Sequence, residues 1–209
     1  MNIVRYHGFR AGAGAGLMTL LIACGGGQTA PQAGQTTGSI PDLMGRKVLV
    51  LPAQIVDGVP EPIDPEIEFA LQEHGEGIDW VMPDEVRRQV DRTPGMDMKV
   101  DDLPVGIFLR AEIERVGDPL FGYIRRLAAL SGASVAVIPV QVRYRMEDET
   151  HESAVEIVTA VLDAVSGRVF WTGVIEGDPG PADDLGTLAS AANQLARSLA
   201  WSSSVGGNP

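Results

Sequence analysis

The sequence predicts an α+β fold: a mixed sheet with an antiparallel three-strand C-terminal meander and helices packed on it. Apolar residues recur every three to four positions in some stretches and every second position in others, which indicates both helices and strands. The last three strand-like runs are separated only by a loop and a turn, as in a meander. Because 44% of the 209 residues are hydrophobic, the chain can bury one sizeable core. We therefore predict a single domain over residues 46–201, with the order β-α-β-α-α-α-β-β-β-α.

The first half of this domain alternates strands and helices. Asp64 followed by Pro65 predicts an N-cap with proline at the first helical position, and Gly75 ends that helix. The predicted elements, in order, are a strand over 46–52, a helix over 65–74, a strand over 78–82, a helix opened by Pro83, a helix over 103–116 and a helix that starts at Asp118 and stops at Gly132.

The second half is rich in strands. The predicted strands cover residues 134–144, 155–165 and 168–176, and a final helix carries Leu188, Ala191, Ala192, Leu195 and Leu199 on one face. Pro139 predicts an edge or a bulge in the first of these strands. Ser166 and Gly167 predict the tight turn of a hairpin between the other two. Residues 202–209 are predicted to be a disordered tail.

The N-terminal residues have the pattern of a secretory signal. The first ten residues contain Arg5 and Arg10 and no acid, and residues 11–23 are uncharged and mostly apolar. A positive start, a short apolar stretch and small residues before a junction are typical of such a signal. The apolar run is too short for a spanning helix, which needs about 20 residues. Residues 1–23 are therefore predicted to be removed.

Leu21, Ile22, Ala23 and Cys24 resemble the lipobox of bacterial lipoproteins. The resemblance implies that the thiol of Cys24 takes a diacylglyceryl group, that a peptidase cuts before it, and that its new amine is acylated. Two or three acyl chains make a stable anchor, since each buried methylene contributes about 0.8 kcal/mol. The predicted partner of Cys24 is thus the lipid bilayer. The alternative, a buried cysteine in an ordinary helix, is disfavoured because Gly-Ala repeats form poor helices.

Residues 24–45 are predicted to be the lipid anchor and a flexible tether. Residues 25–39 consist largely of Gly, Gln, Thr, Ala and Ser without an apolar period. Gly25 follows the anchor where an aspartate often retains lipoproteins in the inner membrane of diderm bacteria. The resemblance therefore implies the periplasmic face of the outer membrane, if the source is diderm.

Charge and composition narrow the classes of partner and chemistry. The net charge of −12 disfavours nucleic acid, whose phosphates would be repelled. His7, His74 and His151 show no metal-ligand spacing, and Ser134 does not match a nucleophile elbow. No glycine-rich run leads into Lys-Ser or Lys-Thr, as a phosphate loop requires. We therefore predict no catalytic residue, no cofactor and no metal site.

A family resemblance rests on the run Asp163-Ala-Val-Ser166-Gly167-Arg-Val-Phe-Trp171 and on the order of elements over residues 46–201. The chain resembles the domain shared by the curli-secretion channel lipoprotein, the lipoprotein activators of penicillin-binding proteins and the N-terminal part of the Tol-system propeller protein. The resemblance implies envelope proteins as partners, bound through protein–protein contacts.

These observations predict a membrane-anchored, non-catalytic binding or assembly module for envelope proteins. A second hypothesis is an accessory subunit of an export or envelope-spanning complex. An enzyme with an unrecognised site is a third, which a concave pocket with converging Asp or His side chains would favour.

Overall fold

The protein is described by a computed structural model that covers residue 32 and residues 34–96, 98–110, 112–148 and 151–205. The strands are β1 (Thr36–Gly38), β2 (Lys47–Val50), β3 (Ile55–Asp57), β4 (Asp79–Val81), β5 (Val135–Arg145), β6 (Ala154–Asp163) and β7 (Val169–Glu176). The α-helices are α1 (Asp64–His74), α2 (Pro83–Asp91), α3 (Leu120–Ser131) and α4 (Leu185–Val205), and Val105–Leu109 form a short 3-10 helix. The α+β class is confirmed.

One mixed sheet organises the molecule, with the strand order β1-β7-β6-β5-β2-β4 and with β3 paired to the far half of β5. β5, β6 and β7 are antiparallel neighbours, which confirms the predicted meander. β2 pairs in parallel with both β5 and β4. The α1 crossover joins β2 to β4, as parallel neighbours require.

Helices cover both faces of the sheet, so alternate strand residues enter two separate cores. On one face Ala136, Ile138 and Val140 of β5 pack with α2 and α3. On the other face Val135 and Val137 pack with α1 and α4. A strand buried on both sides shows the near-continuous apolar run that residues 135–142 have.

Three local predictions are confirmed. Asp64–His74 is helical and Gly75 follows it. The register of β5 shifts between Pro139 and Gln141, which is the bulge expected at that proline. The β6–β7 hairpin turns at Ser166 and Gly167, and Gly167 has a φ of 73°.

The predicted helix over residues 103–116 is wrong, because among the described residues of that stretch only Val105–Leu109 is helical and its turns are 3-10. The following segment runs along the edge of β7. The backbone N–H of Val169 donates to the carbonyl oxygen of Glu114, and that of Val116 donates to the carbonyl oxygen of Gly167. Tertiary hydrogen bonds therefore replace the helical bonds that the apolar pattern suggested.

The limits of the domain also differ from the prediction. The predicted tether includes β1, and Leu43 is fully buried, so residues 36–45 belong to the folded domain. At the other end α4 continues to Val205, four residues into the predicted tail.

Asp64 has a tertiary role in place of its predicted capping role. The N-cap position of α1 is Ile63, and no side chain caps the helix. The Asp64 carboxylate instead accepts hydrogen bonds from the backbone of Ala53 and from Arg87.

Candidate functional site

The predicted lipidation site, Cys24, and the other lipobox residues, Leu21, Ile22 and Ala23, lie outside the described residues. Their assignment therefore remains a prediction from the sequence. The structure instead defines the point at which the chain that follows them joins the domain.

The chain joins the domain along the outer edge of β7. β1 pairs with β7 in antiparallel register, with Thr36 opposite Gly173. Just before β1, the N–H of Gly34 donates to the carbonyl oxygen of Val174 over 3.2 Å. Gly34 lines a shallow cleft of about 400 Å³ together with His151 and Glu176. The N-terminal segment therefore enters the domain on the side of the loop between β5 and β6.

A buried ion cluster lies on the sheet near that loop. Glu156 is only 1% exposed, and it lies opposite Arg143 on β5 and opposite Glu176 on β7. Its Oε2 accepts from Nε of Arg143 at 2.7 Å, and its Oε1 accepts from Nε of Arg145 at 2.7 Å. Nη2 of Arg145 also donates to Oε1 of Glu176 at 2.6 Å. The cluster thus ties three strands together through charge-assisted hydrogen bonds.

This cluster was not predicted from the sequence. Part of it could have been expected from the sequence, because Arg143 and Arg145 are two residues apart and so share one face of a strand. The acid that joins them, Glu156, stands within an apolar strand where an unpaired charge would be costly. Only the register of β5 against β6 brings the three side chains together.

A second ion cluster is centred on Arg87 of α2. Its guanidinium contacts Oδ2 of Asp64 at 2.5 Å, Oδ1 of Asp84 at 2.8 Å and Oδ1 of Asp101 at 2.7 Å. Burial alone would lower the pKa of Arg87, but the hydrogen bonds and charges of Asp101 and Asp64 raise it above its ordinary value. Arg87 therefore stays charged and holds α1, α2 and the loop before the 3-10 helix in place.

Gln54 fixes the same loop from the other side. Its Nε2 donates to the carbonyl oxygens of Pro52 and Val100, and its Oε1 accepts from the N–H of Leu103. A shallow cleft of about 430 Å³ lies beyond the loop, lined by Lys99, Tyr123 and five other residues. Arg126 stacks over the Tyr123 ring at 5.2 Å.

The two histidines that the structure describes have ordinary neighbours. Nε2 of His74 lies 3.0 Å from Oδ1 of Asn193, which connects α1 to α4. Nδ1 of His151 lies 3.2 Å from Oδ1 of Asp148 in the acidic loop. Within the described ranges, no three or more His, Cys, Asp or Glu side chains are placed to hold a metal ion.

The length and apolarity of a helix determine whether it can span a bilayer. Within the part of the chain that the structure describes, none is both long and apolar enough to cross a membrane.

Comparisons with known proteins give weak structural likenesses. No family model matches the chain, and no curated protein matches it. The chain is similar to the PelC dodecamer from Paraburkholderia phytofirmans, with 14% identity, a TM-score of 0.35 and coverage of 79% of this chain and 91% of that one. It is also similar to the lipoprotein GNA1162 from Neisseria meningitidis, with 18% identity, a TM-score of 0.38 and coverage of 74% and 99%.

The ion clusters around Glu156 and Arg87 hold their carboxylates and guanidinium groups in contacts with one another. Such contacts stabilise the relative positions of strands, helices and loops.

Proposed function

We propose that this chain is a bacterial lipoprotein that holds a non-catalytic α+β domain at an envelope membrane, where the domain binds or assembles other envelope proteins. The observation that carries the proposal is the run Leu21-Ile22-Ala23-Cys24. It ends an apolar segment that follows a positively charged N-terminus. The predicted processing makes Cys24 the first residue of the mature protein and its only thiol.

The position of β1 supports this arrangement. Eleven residues, 25–35, separate Cys24 from the start of β1. A flexible chain of that length spans about 18 Å on average. The domain is thus held close to the bilayer, with the end at which the chain enters β1 nearest to the anchor.

The charge of the domain favours protein partners over nucleic acid. After removal of Arg5 and Arg10, the mature chain has 14 basic and 28 acidic residues, a net charge of −14. Such a chain is repelled by phosphate backbones and keeps its own copies apart. In the absence of its anchor the domain should be soluble, monomeric or weakly associating, and without catalytic activity.

The anchor is tested by mass spectrometry and extraction of the full-length protein from its host. We expect a mature N-terminus at Cys24 with two or three acyl chains, and detergent should be needed for release. Cys24→Ala should leave an uncut precursor of unchanged fold. Unmodified Cys24 in wild-type protein that is free of membrane would contradict the anchor.

The non-catalytic role is tested separately with the domain from residue 25 onward. Hydrolase substrates of several classes should be turned over no faster than by buffer. A turnover that one point substitution abolishes would contradict this part of the proposal.

A further inference from the structure

The outward face of α1 presents an aromatic ring to solvent. Phe69 is 64% exposed, and it is the one aromatic side chain among those described that is mainly outside the core. Exposed aromatic side chains supply much of the binding energy of protein interfaces, because they bury a large area at a small cost in conformational entropy.

The exposure of Phe69 follows from the register of the helix. Ile67, Ala70 and Leu71 are the buried residues of α1 and face the core that it shares with α4. At 100° per residue, position 69 lies about 200° from position 67 and therefore points away from that core. Phe69 contributes to the outer surface of the folded domain and is dispensable for its packing.

Two acidic residues lie on the same side of the helix as this ring. Glu66 and Glu73 lie three residues before and four residues after Phe69, so they share its side of the helix. Residues 53–82, which include α1, contain eight acidic residues and neither Lys nor Arg, and two of the eight, Asp64 and Asp79, pair with Arg87 and Lys47. The potential around Phe69 is therefore negative, and a partner surface that contains cations complements it.

The position of α1 leaves this face accessible on a tethered domain. The tether enters beside β7 at one edge of the sheet, whereas α1 connects β2 to β4 near the opposite edge. Five steps between neighbouring strands, at about 4.8 Å each, separate β1 from β4, which places the two edges about 24 Å apart. A partner at the membrane surface can reach α1 from the side.

We propose that Phe69, with Glu66 and Glu73, is the surface by which this domain binds an envelope protein whose docking site is an apolar pocket bordered by Lys and Arg. The inference rests on the proposed binding function and names the chemistry of its partner. A second copy of the chain and an anionic bilayer both carry the same sign of charge as this face, so neither complements it.

The test places a photoreactive phenylalanine analogue at position 69 of the full-length chain in its native host. A matched chain carries the analogue at position 165, because Val165 is also exposed, at 69%, in the turn between β6 and β7. We expect irradiation to link position 69 to one protein, identified by mass spectrometry, whose linked region contains Lys and Arg around apolar residues.

The identified partner is then purified and titrated with variants of the full-length chain in detergent. Phe69→Ala should weaken binding at least about tenfold, as for an aromatic anchor. Glu73→Lys should weaken it and reduce its sensitivity to salt. Glu147→Lys is the matched control, since it makes the same charge change on the loop between β5 and β6, and it should change the affinity less than about twofold. All three variants should retain the wild-type unfolding midpoint, because each side chain is exposed.

Several outcomes would overturn this surface. These are no link from position 69, a link to lipid or to a second copy, a link to an acidic region, or affinity unchanged by Phe69→Ala. A protein linked from position 165 but not from 69 would overturn this surface and leave the proposed binding function standing. Unacylated Cys24 and the lack of protein links from both positions would count against the proposed function itself.

Discussion

At the scale of single residues, Gly167 permits the close approach of the β6–β7 turn to the segment before α3. Its φ is 73°, in the left-handed region that glycine adopts at little cost. A Cβ at this position would lie 2.8 Å from Cδ2 of Phe121 and 3.0 Å from the carbonyl oxygen of Val116. Asp163 completes the turn, since its Oδ1 accepts from the N–H groups of Val165 and Ser166.

Gly167→Val should therefore destabilise the domain by about 2 kcal/mol, through backbone strain and steric overlap together. The measurement is urea unfolding of the chain from residue 25 onward. Gly117→Val is the control, because Gly117 does not have a positive φ and no atom lies within 4 Å of the position that a Cβ would take there. Equal unfolding midpoints for the two variants would contradict this interpretation of the turn.

Glu156 is the residue on which the ion cluster of the sheet depends. Its carboxylate is 1% exposed and accepts hydrogen bonds from both Arg143 and Arg145. Glu156→Gln keeps the size but removes the charge that Arg143 and Arg145 share, and leaves Glu176 as the remaining carboxylate of the cluster. We expect a loss of about 3 kcal/mol in the free energy of unfolding. Glu147→Gln, on the exposed loop, should change it by less than about 0.5 kcal/mol.

At the scale of elements, the sequence correctly predicted those features that depend on interactions between residues close together in the chain. The hairpin, the bulge at Pro139 and the bounds of the first helix follow from turn residues, from a missing N–H and from helical periodicity, all of which are visible in the sequence. The stretch 103–116 was predicted wrongly because its apolar spacing fits a helix while its backbone bonds go to β7. The Glu156 cluster also depends on tertiary structure. It forms through the register of β5 against β6, which cannot be derived from the sequence of either strand alone.

Whether β1 depends on its close contact with β7 can be tested by substitution of Gly38. Gly38 has a φ of 80°, and a Cβ there would overlap the carbonyl oxygen of Phe170. Gly38→Val should detach β1 from β7 and open the backbone near residues 36–39 to protease. Limited proteolysis with N-terminal sequencing of the products measures this. Gly45→Val is the control, since Gly45 has a positive φ but no neighbour within 4 Å. If cleavage near residue 37 is unchanged by Gly38→Val, β1 does not depend on this close contact.

At the scale of the whole molecule, a lipid anchor at Cys24 predicts that the end of the domain at which the chain enters β1 lies nearest to the membrane. The chain reaches β1 past Gly34, which shares a cleft with His151 and Glu176. That end carries acidic residues in the loop between β5 and β6, whereas the turn at Val165 lies at the other end of the sheet. β5 has 11 residues and is about 36 Å long, so with this orientation the two ends should differ clearly in their distance from the bilayer.

Energy transfer on vesicles can measure this orientation. Cys24 is the only cysteine, and its sulfur is predicted to be acylated, so Met146→Cys or Val165→Cys gives one reactive thiol for a donor dye. Met146 and Val165 are both well exposed, at 76% and 69%, so labelling should not disturb the fold. With acceptor dye on the lipid headgroups, transfer from position 146 should exceed transfer from position 165.

The same reporter tests how charge and tether length act together. Anionic lipid should lower the transfer from position 146, because the acidic end is repelled, and salt of about 1 M should restore it, since the Debye length is then only about 3 Å. Deletion of residues 26–33 should bring position 146 closer and enlarge the effect of anionic lipid, while the unfolding midpoint of the domain stays unchanged.

In host cells the shortened chain should also bind less of its envelope partner, because the domain then searches a smaller zone. Equal transfer from both positions would exclude the predicted orientation, and a shortened chain that binds its partner as well as the full one would exclude a role for the tether in reach.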